Sequence, residues 1–121
     1  GLPFVYVRPK AKDHGMENLI EGELKPNQTV VVIEDLVSTG SSSLKAVEAL
    51  RNAECSVKGM ICIFTYGFKT AEENFEKANC KLFSLSNYDT MISQAVEGNY
   101  VRKNDVSVLQ QWRISPDTWG K

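Results

Sequence analysis

What the sequence has little of narrows it first. Only three cysteines, Cys55, Cys62 and Cys80, occur in 121 residues. They form no CxxC pair and their number is odd, which argues against a disulfide framework and against a structural zinc site; no metal-ligating set is expected. Reduced thiols set the expectation of a cytoplasmic protein. Neither sign of charge is in excess: 14 Lys and Arg face 15 Asp and Glu, for a net charge of −1. A general nucleic-acid binder would be basic, so no nucleic-acid partner is expected. Long apolar runs are missing too, and no stretch reaches membrane-spanning length. Gly1-Leu2-Pro3 lacks the charged-then-apolar order of a secretion signal. No internal repeat, linker or low-complexity segment is present.

What remains suits one globular domain over residues 1–121, with 42% hydrophobic residues to supply a core and an ordinary 24% of charged ones. Apolar patterning alternates between strand and helix. Phe4 to Val7 is a short β-prone run, and Pro9 to Asn18 reads as an exposed loop. Thr29 to Asp35 is predicted as a strand. Its unbroken Val30-Val31-Val32-Ile33 core suits a parallel sheet covered on both faces. Ser42 to Ala53 follows as a helix on Leu44, Val47 and Leu50. Val57 to Thr65 and Lys81 to Leu85 are further strands. Thr70 to Asn79 is a helix opened by a Thr70–Glu73 capping box. Asn87 to Val96 is another, opened by Ser86 or Asn87 and stopped by Gly98, and Asp105 to Arg113 is the last. Trp112 and Trp119 are expected to be packing residues. This alternation is the mark of an α/β sheet with right-handed crossovers.

Two carboxylates, Glu34 and Asp35, follow the buried run, where an unpaired charge is costly. After them come Leu36, Val37 and a loop of small residues, Ser38-Thr39-Gly40-Ser41-Ser42. In open α/β sheets ligands collect beyond the carboxyl ends of strands. A loop without bulk lets its backbone approach a ligand, and the next helix aims free N–H groups back at it, which favours a phosphate. The loop lacks the lysine and spacing of a P-loop and is not GxGxxG. Acids beside a phosphate nest make sense when the ligand also carries hydroxyls, and a ribose 5-phosphate has both. The alternative reading is a plain helix cap and turn.

The stretch from Val31 to Ser42, VVIEDLVSTGSS, resembles the phosphoribosyl pyrophosphate (PRPP) signature of type I phosphoribosyltransferases. The resemblance implies a Rossmann-like parallel sheet flanked by helices, with Glu34 and Asp35 on the ribose hydroxyls and Leu36 to Ser42 around the 5-phosphate. A second segment, Tyr6 to Gly15, sets Arg8, Lys10, Lys12 and His14 at alternate positions, so that an extended loop presents them on one face to a polyanion. Taken alone it reads first as a solvated charged loop. It is similar to the mobile catalytic loop of orotate phosphoribosyltransferases, and the likeness continues through Asn18 to Gly22, Ile63 to Tyr66, Leu82 to Tyr88 and Leu109 to Arg113.

That likeness implies transfer of the phosphoribosyl group of PRPP to orotate, giving orotidine 5′-monophosphate and pyrophosphate. It implies Lys12 and His14 as catalytic residues, Arg8, Lys10, Lys12 and His14 on pyrophosphate oxygens, and magnesium held mainly through PRPP. It further implies a homodimer in which the basic loop closes over a neighbour's site. Three positions depart from the family pattern: Pro9 stands where some members carry lysine, Tyr66 near an orotate-contacting arginine, and Ser38 where threonine is common. Family members also carry a long segment before the equivalent of Leu2, so the chain is expected to correspond to a C-terminal portion, truncated at its N-terminus. The alternatives are a phosphoribosyltransferase for another base, against which the basic loop argues, and a non-catalytic PRPP-binding regulatory module, which would not need Lys12 and His14.

Overall fold

The structure is a computed structural model and describes residues 2–9 and 19–120. Two short strands come first, β1 (Tyr6–Val7) and β2 (Ile20–Glu21), paired antiparallel with Tyr6 opposite Glu21 and Val7 opposite Ile20. They form the stem on either side of the expected basic loop. The second strand of this stem has only two residues, too short a run for apolar alternation to reveal it in the sequence.

Strand and helix then alternate as the sequence predicts. The order is β3 (Thr29–Val37), α1 (Ser41–Asn52), β4 (Ser56–Thr65), α2 (Lys69–Lys77), β5 (Leu82–Asn87), α3 (Tyr88–Glu97) and α4 (Val106–Ile114), with 3-10 turns at Lys103–Asp105 and Pro116–Thr118. The three longer strands form one parallel sheet of order β3-β4-β5, in which Ile33 lies opposite Ile61 and Ile61 opposite Phe83.

The expectation of a sheet covered on both faces does not hold for the described residues. The two crossovers β3-α1-β4 and β4-α2-β5 step the same way along the sheet, and same-handed crossovers in one direction put both helices on one face. The core therefore lies between that face and the helices. Val32, Val37, Met60 and Cys62 come from the sheet, Val47 and Leu50 from α1, and Ala71 and Phe75 from α2. On the opposite face Val31, Ile33, Ile61, Ile63, Phe83 and Leu85 are exposed, Ile33 at 68% and Leu85 at 77%. The unbroken Val30 to Ile33 run thus has the chemistry of a strand covered on both sides, with a cover on one side only among the described residues.

Helix α2 corrects a second expectation. It begins at Lys69, with Phe68 as the extended N-cap residue and no side-chain cap. A capping box needs Thr70 outside the helix in extended conformation. Packing decides otherwise. Phe68 stacks on Tyr66 with ring centroids 5.0 Å apart and meets Trp112 at 5.8 Å, so the chain turns into the helix there and Thr70 falls within the first turn. Helix α3 starts as expected, with the Asn87 side chain accepting a hydrogen bond from the Thr90 amide at 2.8 Å. Trp112 is a packing residue beside Tyr66, Phe68 and Tyr88. Trp119, by contrast, is 46% exposed.

All three cysteines are buried and free. Burial raises the Cys62 thiol pKa, with the Glu34 charge adding to it, and burial likewise raises Cys80. Thiolate is the reactive form. A disulfide-exchange reagent at neutral pH is therefore expected to label neither Cys62 nor Cys80 in the native protein within minutes, and both after denaturation. Rapid native labelling of Cys62 would contradict this packing.

Candidate active site

The candidate site is built at the carboxyl end of β3. The strand does not stop at the acids. Leu36 pairs opposite Phe64 and Val37 opposite Thr65, so the ladder carries the backbone two residues beyond Asp35. Inside a strand, neighbouring side chains point to opposite faces. Glu34 lies half-buried on the helix-covered face and Asp35 is exposed on the other. Leu36 is 45% exposed, while Val37 is fully buried and contributes its side chain to the core. The Val37 carbonyl accepts from the Tyr66 amide at 3.3 Å, which ties the ends of β3 and β4 together.

Glu34 is held by a residue of the first helical turn: the Ser43 hydroxyl donates to its Oε2 at 3.0 Å. Ser43 is 2% exposed. The Asp35 amide reaches Glu34 Oε1 at 3.3 Å, and Asp35 Oδ1 accepts from the Leu36 amide at 2.7 Å. Among the described residues neither carboxylate is paired with a cation. Glu34 is thus tied to the first turn of α1 beside the small-residue loop, while Asp35 is exposed three residues before that loop begins.

Ser38 and Thr39 form the exposed lip of that loop, and Gly40 is its pivot. Gly40 has φ +86° and is the N-cap residue of α1 without any side-chain cap. A Cβ there would stand 2.6 Å from the ring of Phe75. The helix begins with the Leu44 amide on the Gly40 carbonyl at 2.8 Å. The amides of Gly40 and Ser42 have no acceptor among the described residues, and the first turn carries no acid. Unsatisfied N–H groups and the positive end of a 12-residue helix suit a compact anion. Thr39 donates its hydroxyl to Ser41 Oγ at 3.1 Å, and Ser41 and Ser42 are exposed at the mouth.

The expected basic residues divide. Arg8 leaves the hairpin stem and forms an ion pair with Glu21 across it. Lys10, Lys12 and His14 lie outside the described residues. Tyr66 sits on the turn after β4 at the centre of the aromatic cluster, and Arg113 of α4 donates to the Gly67 carbonyl beside it at 3.3 Å. Among the described residues no group of three His, Cys, Asp or Glu side chains is placed to hold a metal ion.

Three residues of this site were not legible as site residues. Ser43 had a usable signal: with Val47 and Leu50 it lies on the buried stripe of α1 at a spacing of i, i+4, i+7, and a buried hydroxyl needs a partner. Asn74 and Phe75 of α2 touch the loop at Thr39 and Gly40 across more than 30 residues of chain, and no local pattern reports such a contact.

The family model described as Phosphoribosyl transferase domain matches residues 2–106. Orotate phosphoribosyltransferase of Porphyromonas gingivalis is 60% identical over 120 residues, which is 99% of this chain and 57% of that protein. The chain thus spans little more than half the length of the curated relatives it matches. Among solved structures, Leishmania donovani UMP synthase superposes with a TM-score of 0.75 at 25% identity, covering 93% of this chain and 24% of that one. Orotate phosphoribosyltransferase from Aeropyrum pernix gives 0.67 at 32% identity, over 76% of this chain and 51% of its own. No helix among the described residues is long and apolar enough to cross a membrane.

Proposed function

The chain belongs to the phosphoribosyl transferase domain family, and from that premise we propose that it is the PRPP-binding part of an orotate phosphoribosyltransferase. The observation that carries this reading is the Ser43–Glu34 hydrogen bond. It fixes an acid of the doublet to the first turn of α1, beside the loop whose Gly40 and Ser42 amides lack an acceptor among the described residues, and no cation among those residues pairs with that acid. Hydroxyl recognition and phosphate recognition then stand side by side, as a phosphorylated pentose requires.

In this reading the 5-phosphate rests on the backbone from Leu36 to Ser42 with the hydroxyls of Ser38, Thr39, Ser41 and Ser42. Glu34 and Asp35 accept from the ribose hydroxyls. The bond from the ribose carbon to pyrophosphate breaks, that carbon takes on positive charge, and the orotate ring nitrogen, having lost its proton, forms the new bond. Glu34 and Asp35 favour the developing positive charge. Arg8, Lys10, Lys12 and His14 meet the negative charge that collects on the departing pyrophosphate, with Lys12 and His14 closest to the chemistry. The hairpin stem of β1 and β2 supports their loop, and its closure is the step that excludes water. Arg8 exchanges Glu21 for pyrophosphate when the loop closes.

Magnesium fits this set only as a ligand-borne ion. Hard oxygen donors are present in Glu34 and Asp35, but no protein cage is formed among the described residues. The ion supplies charge neutralisation on the phosphates. A homodimer in the cytoplasm, with each basic loop serving the partner's site, completes the proposal. The purine alternative draws no support from a likeness to adenine phosphoribosyltransferase of Leishmania donovani at 20% identity, which shows the fold alone.

The test is a titration by calorimetry. The chain is expected to bind PRPP and ribose 5-phosphate more tightly than inorganic phosphate by roughly tenfold or more, the worth of one or two charge-assisted hydroxyl contacts. Equal affinity for all three would reduce the site to a phosphate nest. In a protein of the relatives' full length that carries this chain, orotate and not adenine is expected to release pyrophosphate from PRPP. Binding without release for any base would favour the regulatory module.

A further inference from the structure

The loop between β3 and α1 is shaped from outside itself. Asn74 of α2 donates its side-chain N–H to the Thr39 carbonyl at 3.0 Å, a contact spanning 35 positions of sequence. The next residue, Phe75, is 4% exposed and lies with its ring against Gly40. One helix therefore both grips the carbonyl of the Thr39–Gly40 peptide and occupies the space beneath it.

We propose that Asn74 is a positioning residue for the phosphoribosyl-binding loop, acting by fixing the orientation of the Thr39–Gly40 peptide; this rests on the reading of that loop given above. The physical link is peptide geometry. In a trans peptide the C=O and N–H point in opposite directions. Holding the Thr39 oxygen toward α2 aims the Gly40 N–H the other way. Released, the peptide is free to rotate, since Gly40 tolerates positive and negative φ alike. Rotation would bring a carbonyl oxygen to the place where an amide should meet an anion. Phe75 blocks collapse of the loop but offers no hydrogen bond, so orientation falls to Asn74. Its side chain is only partly buried, and no other described polar side chain reaches the Thr39 carbonyl.

The experiment uses a protein of the relatives' full length that carries this chain and compares it with its Asn74→Ala and Asn74→Asp variants. Alanine is favourable inside a helix and carries no donor. Aspartate keeps the shape and, when ionised, sets a carboxylate against the carbonyl. Three readings are taken: thermal midpoint, the Gly40 amide signal in a ¹H–¹⁵N spectrum without ligand, and PRPP affinity by calorimetry. Both variants are expected to fold, to shift the Gly40 amide signal, and to bind PRPP roughly tenfold more weakly, with aspartate the weaker. A purely structural role would lower the midpoint and leave the folded Gly40 signal in place. PRPP affinity within twofold of the parent, or an unmoved Gly40 amide, overturns the inference while leaving the PRPP reading intact. A parent chain that binds no PRPP overturns the reading itself, and the inference falls with it.

Discussion

Gly40→Ala is expected to destabilise the fold by about 2–5 kcal/mol and to abolish measurable PRPP binding. Two independent penalties meet at this residue. Its φ of +86° lies where a Cβ meets the following carbonyl, which costs an L-residue about 1–2 kcal/mol. The added methyl would also stand 2.6 Å from the Phe75 ring, and forcing extra volume into a packed contact costs about 1–3 kcal/mol. Urea unfolding would read the sum as a lower midpoint at unchanged slope. The two parts separate in a Phe75→Leu background, where the smaller side chain leaves room for the methyl. There the alanine is expected to cost only the backbone share, so the double variant should be more stable than additivity predicts. A Gly40→Ala protein within 1 kcal/mol of the parent would mean that the loop readily adopts another path, and the cradle described above would not be a preformed one.

Glu34→Gln tests the opposite half of the site and has a distinctive sign. The glutamine carbonyl can still accept from Ser43, so the fold should be little affected. Loss of the charge removes charge-assisted bonds to the ribose hydroxyls, each worth about 1.5–3 kcal/mol, and PRPP affinity is expected to fall roughly tenfold to a hundredfold. Inorganic phosphate should respond in the other direction. Without hydroxyls to offer, it feels only the repulsion of the carboxylate, and it is expected to bind as well as before or better. Asp35→Asn should behave alike. Equal weakening of both ligands would show that the acids shape the loop instead of reading the sugar, and an unchanged PRPP affinity would remove the acids from the site altogether.

The candidate site was legible to different depths along its length. Small residues after a β-branched strand, followed by a helical stripe, are local signals, so the strand, the loop and α1 stand within a residue or two of their expected places. Resemblance in the run from Val31 to Ser42 named the ligand class, and the family match over residues 2–106 accords with it. The capping box was misplaced because aromatic packing at Phe68 outweighs a local side-chain bond. The covered second face was over-read, because an apolar run reports what a strand can bury and not what is there to bury it.

Sequence by itself determined the strand–helix alternation and the acid doublet beside a small-residue loop, both of which follow from neighbours within one turn or one strand. Only the tertiary structure decided that Glu34 turns toward α1 and Asp35 away, that Ser43 holds the first of them, and that α2 grips the loop through Asn74 and Phe75. The reason is range: which face of the sheet the helices cover, the common direction of two crossovers and a contact across 35 residues are set by how elements pack, whereas local order reports only what each element can bury.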